Sequence, residues 1–247
     1  MSNVVLLHGF GQTSRCWGSL PGALERAGHT AQSLDAPGHG DNSELDLDLL
    51  ATSTWLATSG GRATYIGYSM GARMCLHAAL LHPDAVERLV LISGTGGIDD
   101  DTERAARVAA DEALATRIES FAIESFVDEW LGGPLFAHLT PEAQMRDERL
   151  RNSPSGLATS LRRAGTGTHQ PGWSVLRRLQ MPVLIIAGAL DPKFADLARR
   201  LGTCIGGNAA VAIVGDAGHT VHLEQPVAVR QLIVDWLSAT DPKPDAQ

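Results

Sequence analysis

Ser69 stands midway between Gly67 and Gly71 in the stretch "GYSMG", where one apolar run ends and another begins. Gly-x-Ser-x-Gly between a strand and a helix is a turn that presents a serine hydroxyl on strained backbone. The glycines are needed because a strand and helix joined so tightly pass each other without room for side chains. A helix starting at Met70 aims peptide N–H groups at the hydroxyl, where they favour developing negative charge. A serine used in this way needs a base, and the base needs an acid to orient it. "GDAGHTVH" supplies His219 in a glycine-bounded loop, and "GALDPKF" supplies Asp191 just past an apolar run. His222 competes with His219 but lacks a preceding glycine, and Asp216 competes with Asp191. His29, His77, His82 and His138 fall in helical or surface contexts. Two peptide N–H groups should form the oxyanion hole: that of Met70, and that of Phe10 in the loop "LHGFGQ".

These residues have to be brought together by the elements around them. Short β-rich runs alternate with helical spacing along most of the chain. Strands are predicted at 4–7, 29–35, 63–67, 86–93, 182–188 and 209–214, and helices at 16–27, 45–58, 70–81, 194–201 and 227–238. The strands are continuous apolar runs rather than alternating ones. That pattern indicates a parallel sheet buried on both faces, with helices on each side. Ser69, Asp191 and His219 then all fall at carboxyl ends of strands, where open α/β sheets place their sites. Residues 99–171 break the alternation, being helical, charged and free of strands. An insertion of that size is expected to be a cap, leaving 1–98 and 172–240 as the core and 241–247 as a flexible tail.

The 247 residues suffice for one α/β domain, and 44% apolar content is ordinary for a soluble globule. No apolar run approaches the roughly 18 residues of a membrane span. "MSNVVLLHGF" has no basic n-region or cleavage site, so no signal peptide is expected. Cys16, Cys75 and Cys204 are odd in number and scattered, which suits buried thiols in a reducing cytoplasm. A net charge of −8 argues against nucleic-acid or acidic-membrane partners. It also means that an anionic substrate would need a local cluster of arginines. The spacing of His, Asp and Glu gives no metal cluster, and no cofactor is expected.

"LLHGFGQTSRCW", "LDAPGHGDNS", "GYSMGAR", "GALDPKF" and "AGHTVH" together resemble the α/β-hydrolase superfamily. The chain order Ser69, Asp191, His219 is that superfamily's order. More narrowly, the similarity runs nearly end to end with the 2-succinyl-6-hydroxy-2,4-cyclohexadiene-1-carboxylate synthases of menaquinone biosynthesis. The resemblance implies an α/β-hydrolase fold, a mostly parallel sheet with helices on both faces and a helical cap. It implies a lyase that eliminates pyruvate from a small polycarboxylate, with Ser69 as base. It further implies substrate contacts from Tyr68, Arg73, Arg107, Trp130 and Arg151. Arg104 lies one helical turn from Arg107, and Arg146 and Arg149 neighbour Arg151. The same triad also suits an esterase, thioesterase or C–C bond hydrolase, and some proteins of this fold act as ligand receptors. An arginine-lined pocket separates the lyase from the esterase, which needs an apolar acyl slot. A monomer or small homo-oligomer is expected. The pattern departs from the synthases in having Gly71-Ala72 where Gly-Gly is common, and in lacking an N-terminal hairpin.

Overall fold

The computed structural model describes residues 2–241, so of the expected tail 242–247 lie outside the described residues. Six strands form one sheet: β1 (Asn3–Leu7), β2 (Thr30–Leu34), β3 (Ala63–Tyr68), β4 (Val86–Ile92), β5 (Val183–Gly188) and β6 (Ala209–Val214). Their order is β2-β1-β3-β4-β5-β6, and every neighbouring pair is parallel. The helices are α1 (Leu20–Arg26), α2 (Leu49–Gly60), α3 (Met70–Leu81), α4 (Asp101–Glu119), α5 (Ile123–Leu131), α6 (Arg146–Arg149), α7 (Pro154–Ala164), α8 (Pro192–Ile205), α9 (Val221–Glu224) and α10 (Pro226–Thr240).

Alternate strand residues feed two separate cores. Val4, Leu6, Ile66, Val90 and Ile186 pack under α1 and α10, while Val5, Leu7, Leu89, Leu91 and Ile185 pack under α2, α3 and α8. Each fully buried side chain of this kind contributes about 1.5–3 kcal/mol. β1, β3, β4 and β5 are buried on both faces as their apolar runs imply, but β6, at the sheet edge, exposes Ala210 and Val211. The first helix begins at Leu20 rather than at residue 16. Gly18 sits at φ +56°, outside helical geometry, and Pro21 suits only a first turn. α8 is longer than expected, because Asp191 caps it and Pro192 opens it. Asp241, grouped by sequence with the flexible tail, accepts a hydrogen bond from Arg88 at 2.7 Å.

Between β4 and β5 the chain runs through α4 to α7 without a strand. Ile118, Phe126, Leu131, Leu157 and Leu161 of these helices share an apolar cluster with Phe10 and Leu223 from the sheet side. The insertion is therefore seated on the loop after β1, directly over the carboxyl ends of the central strands.

Candidate active site

The turn at Ser69 is as tight as its glycines require. A Cβ on Gly67 would collide with the Gly71 carbonyl and lie 2.5 Å from Ala72 Cα; one on Gly71 would collide with the Leu7 carbonyl of β1. Ser69 itself is at φ +51°, ψ −107°, a strained conformation for a residue with a side chain. Its peptide N–H donates to Ile92 O at 2.8 Å, which ties the turn to β4.

Ser69 Oγ lies 3.0 Å from His219 Nε2, and His219 Nδ1 lies 2.9 Å from Asp191 Oδ2. Nδ1–H therefore donates to the carboxylate, leaving Nε2 to accept the serine proton. Asp191 uses its other oxygen to accept from Phe194 N–H at 3.2 Å, so the acid is also the cap of α8. Burial alone would raise the Asp191 pKa. The hydrogen bonds from His219 and Phe194 and the charges of His219 and Lys193 outweigh burial and hold it below the ordinary value.

The histidine loop is fixed by groups with no sequence motif of their own. Glu224 accepts from Gly218 N–H at 2.5 Å and Thr220 N–H at 2.7 Å, one on each side of His219. Ser93, just past β4, donates to His219 O at 2.7 Å. A carboxylate that accepts two peptide N–H bonds six residues after Gly218 and four after Thr220 could have been sought in "GHTVHLE".

The loop after β1, which carries Phe10, is held from two sides. Gly9 N–H donates to Gln12 Oε1, Gly11 N–H to His39 Nε2 and Gln12 N–H to Gly9 O. Among the described residues the Phe10 N–H has no such acceptor, nor does that of Met70 at the start of α3. His8 in turn donates Nδ1–H to Gly9 O and accepts from Ala36 N–H through Nε2, at 2.8 and 3.0 Å. The two imidazoles brace this loop against the one after β2, and each is needed neutral.

That brace predicts a pH dependence of stability. Burial lowers the pKa of His8 to about 4, of His39 to about 3 and of His222 to about 3, and away from the brace it lowers His77 to about 4 and His169 to about 3. Unfolded, each titrates near 6.5. Because the folded values are the lower ones, the unfolded chain takes up protons first as pH falls. Stability is thus flat above about pH 7 and declines between 6.5 and 4, by about 1.4 kcal/mol per pH unit near pH 5 for each of the five rings. Calorimetric unfolding across this range should show Tm falling, with about five protons taken up at pH 5. A Tm unchanged from pH 7 to 5 would mean that these rings are charged in the folded protein.

A cavity of about 260 Å³ opens beside the triad, between sheet and cap. Ser69, His219, Asp191, Phe10 and Met70 line it, as do Arg73, Arg107 and Trp130. Arg73 is almost fully buried; its Nη2 donates to Ala164 O at 2.5 Å and its Nη1 has no partner. Burial, with the Arg107 charge beside it, lowers its pKa to about 10, leaving it cationic at neutral pH. Arg107 donates from Nε to Asp111 at 2.8 Å. Lys193, which had no motif to mark it, also faces the cavity from the first turn of α8. Leu114, Leu135, Leu161 and Phe194 complete an apolar part of the wall. Besides Ser69, Asp191 and His219, the charged residues lining the cavity are three cations, Arg73, Arg107 and Lys193, and one carboxylate, Asp111. Among the described residues no three His, Cys, Asp or Glu side chains converge as metal ligands.

Two residues expected at the substrate lie elsewhere. Tyr68 is buried on the opposite side of the sheet, its hydroxyl 3.0 Å from Thr220 Oγ1 and its ring against His219 and His222. It supports the histidine loop, because residues 66 and 68 of a strand share one face and Ile66 belongs to the α1/α10 core. Arg151 points to solvent, 3.6 Å from Asp41, and is not part of the cavity wall. Arg149, two residues before it, is turned inward instead.

A family model described as the alpha/beta hydrolase family matches residues 4–232. A Bacillus subtilis (strain 168) protein that carries the name 2-succinyl-6-hydroxy-2,4-cyclohexadiene-1-carboxylate synthase provisionally is 33% identical, over 96% of this chain and 90% of its own length. The protein of that name from Photorhabdus laumondii is 30% identical, over 95% of this chain and 85% of its own. A solved structure of MenH from S. aureus aligns with a TM-score of 0.89 at 30% identity, covering 97% of this chain and 94% of that one.

Proposed function

The chain belongs to the α/β-hydrolase family, and on that premise we propose that it is a lyase that releases pyruvate from 2-succinyl-5-enolpyruvyl-6-hydroxy-3-cyclohexene-1-carboxylate, giving 2-succinyl-6-hydroxy-2,4-cyclohexadiene-1-carboxylate. The observation that carries this reading is the cavity's charge. In a protein of net charge −8, three cations and one carboxylate outside the triad surround the reactive serine. A substrate with three carboxylates suits that field, whereas a simple ester does not need it.

His219, oriented by Asp191, takes the Ser69 proton. Ser69 Oγ then removes the ring proton at C2, which is acidic because the succinyl carbonyl lies next to it. Negative charge develops on that carbonyl oxygen, and the N–H groups of Phe10 and Met70 stabilise it. The new C2=C3 bond displaces the 3,4 double bond to C4=C5, and the C5–O bond breaks. The leaving pyruvate enolate takes its proton from the His219 imidazolium, which returns His219 to the neutral form beside a reprotonated Ser69. No bond forms between Ser69 and the substrate. Arg73 and Arg107 hold carboxylates so that the C2 proton faces Oγ, Trp130 packs against the ring, and the cap excludes water. The reaction needs no metal or organic cofactor. Three unpaired cysteines and the absence, among the described residues, of any helix long and apolar enough to cross a membrane suit a cytoplasmic enzyme.

The substrate can be generated in situ and pyruvate release followed together with the ultraviolet absorbance of the diene. The expected result is release well above the spontaneous rate, matched one to one by diene. No acceleration would overturn the lyase reading in favour of hydrolysis, and an ester and thioester panel would then identify the bond cleaved.

A further inference from the structure

Arg149 is fully buried at the end of α6, in the cap. Its Nε donates to Gln144 O at 2.7 Å and its Nη1 to Gly11 O at 3.2 Å, and the guanidinium lies 5.3 Å from the centre of the Phe136 ring. Nη2 has no partner. Among the described residues no carboxylate lies within ion-pair distance of it. A buried cation without a counter-ion is costly, and an apolar side chain of similar volume would serve stability better. The charge is therefore expected to serve something other than stability.

Its position indicates what that is. Gly11 follows Phe10 in the oxyanion loop. The Gly11 N–H is tied to His39 and the Gly11 carbonyl to Arg149, so the two peptide units that flank this one Cα are both held. One turn further on, Asn152 donates to Gln12 O at 3.3 Å and accepts from Gly40 N–H at 3.1 Å. The cap turn thus grips the loop that carries the Phe10 N–H. The charge also reaches the residues behind the serine. Burial is the main cause of the low pKa of His8 and His222, and the Arg149 charge adds to it; the same charge favours the anionic forms of Cys16 and Tyr68.

We propose that Arg149 is a positioning residue of the oxyanion hole, fixing the Gly11 carbonyl just past Phe10 and lending an uncompensated positive charge to the anion that forms at the Phe10 and Met70 N–H groups. The proposal rests on those two groups being the oxyanion donors, as in the proposed reaction, but not on the identity of the substrate. Because it acts on charge that develops during the reaction, Arg149 should affect kcat and leave KM alone.

The test uses Arg149→Met, Arg149→Gln and Arg149→Lys in the full chain. It reads kcat and KM for pyruvate release, the rate at which a fluorophosphonate phosphonylates Ser69, and Tm. In the phosphonylation Ser69 Oγ bonds to phosphorus as fluoride leaves, and the P=O oxygen occupies the oxyanion hole whatever the natural substrate. Arg149→Met and Arg149→Gln should lower kcat and phosphonylation about ten-fold or more, with KM within two-fold and Tm equal or higher. Arg149→Lys should recover part of both rates. Rates within two-fold of wild type in the two neutral variants would overturn the proposal. So would a loss that merely tracks a fall in Tm, with the folded fraction fully active. A wild type that is phosphonylated but releases no pyruvate would refute the lyase reading while leaving the Arg149 comparison intact on phosphonylation. A wild type inert to both would refute both.

Discussion

Ser69→Ala will lower pyruvate release by about 10²–10⁴-fold, the range that a positioned proton acceptor contributes, while the substrate still binds. The alanine keeps Cβ, so the turn at φ +51° is no more strained than before, and Tm should stay near that of wild type. The cavity's cations are untouched, so KM should change little. The size of the loss separates two chemistries that share this triad. A serine that forms a covalent bond to its substrate loses about 10⁶-fold when removed, as nucleophilic triads do. A serine that only moves a proton loses less, because the Phe10 and Met70 N–H groups and the bound geometry still act. Stopped-flow traces add a second criterion. The proposed elimination gives pyruvate and diene in step, with no burst, whereas a covalent intermediate releases one product ahead of the other. Full activity in Ser69→Ala would remove the triad assignment altogether.

That Ser69, His219 and Asp191 meet in one hydrogen-bonded cluster was legible because each sits where backbone geometry leaves a sequence mark. Ser69 lies between glycines that the β3–α3 crossing demands, Asp191 precedes the proline that opens α8, and His219 follows Gly218 after the last strand. Helix 70–81 and strand 209–214 match their predicted limits for the same reason: hard stops at both ends. The cap was less readable. In "RDERLRNS" three arginines compete, and only their phase on a helix decides which faces inward. α6 is a single turn, entered through Met145 at φ +50°, so no periodicity long enough to set that phase exists in the sequence. Arg149 turns in and Arg151 turns out as a result. Tyr68 is a different case. Strand alternation places it with Ile66, away from the cavity, and a resemblance to related elbows outweighed that simple rule. Lys193 lines the cavity without a motif to mark it, and Glu224 was missed although its spacing from Gly218 and Thr220 stands in "GHTVHLE".

The arginines read from sequence as three equal anion contacts should separate sharply on substitution. Arg73→Ala should lower kcat/KM by about 30- to 5,000-fold, which corresponds to the 2–5 kcal/mol for truncating one partner of a buried, hydrogen-bonded charge pair. Three features make Arg73 the largest of the set. It is almost fully buried, its orientation is fixed by the Ala164 carbonyl, and its Nη1 has no partner while the residue lines the cavity. That nitrogen has no acceptor among the described residues, so a substrate carboxylate that reaches it removes an existing penalty as well as forming a new bond. Arg73→Lys should recover little, because an ammonium cannot present the planar fork through which a guanidinium holds a carboxylate while keeping Ala164. Arg107→Ala should cost less, since its side chain is 43% exposed and already paired with Asp111. Arg151→Ala should leave kcat/KM within about two-fold of wild type, for a half-exposed side chain near an exposed carboxylate contributes little. Steady-state kinetics on the three variants would check the order. A large loss at Arg151 with none at Arg73 would mean that the cap closes differently around substrate, and would transfer the anion site from α3 to the turn after α6.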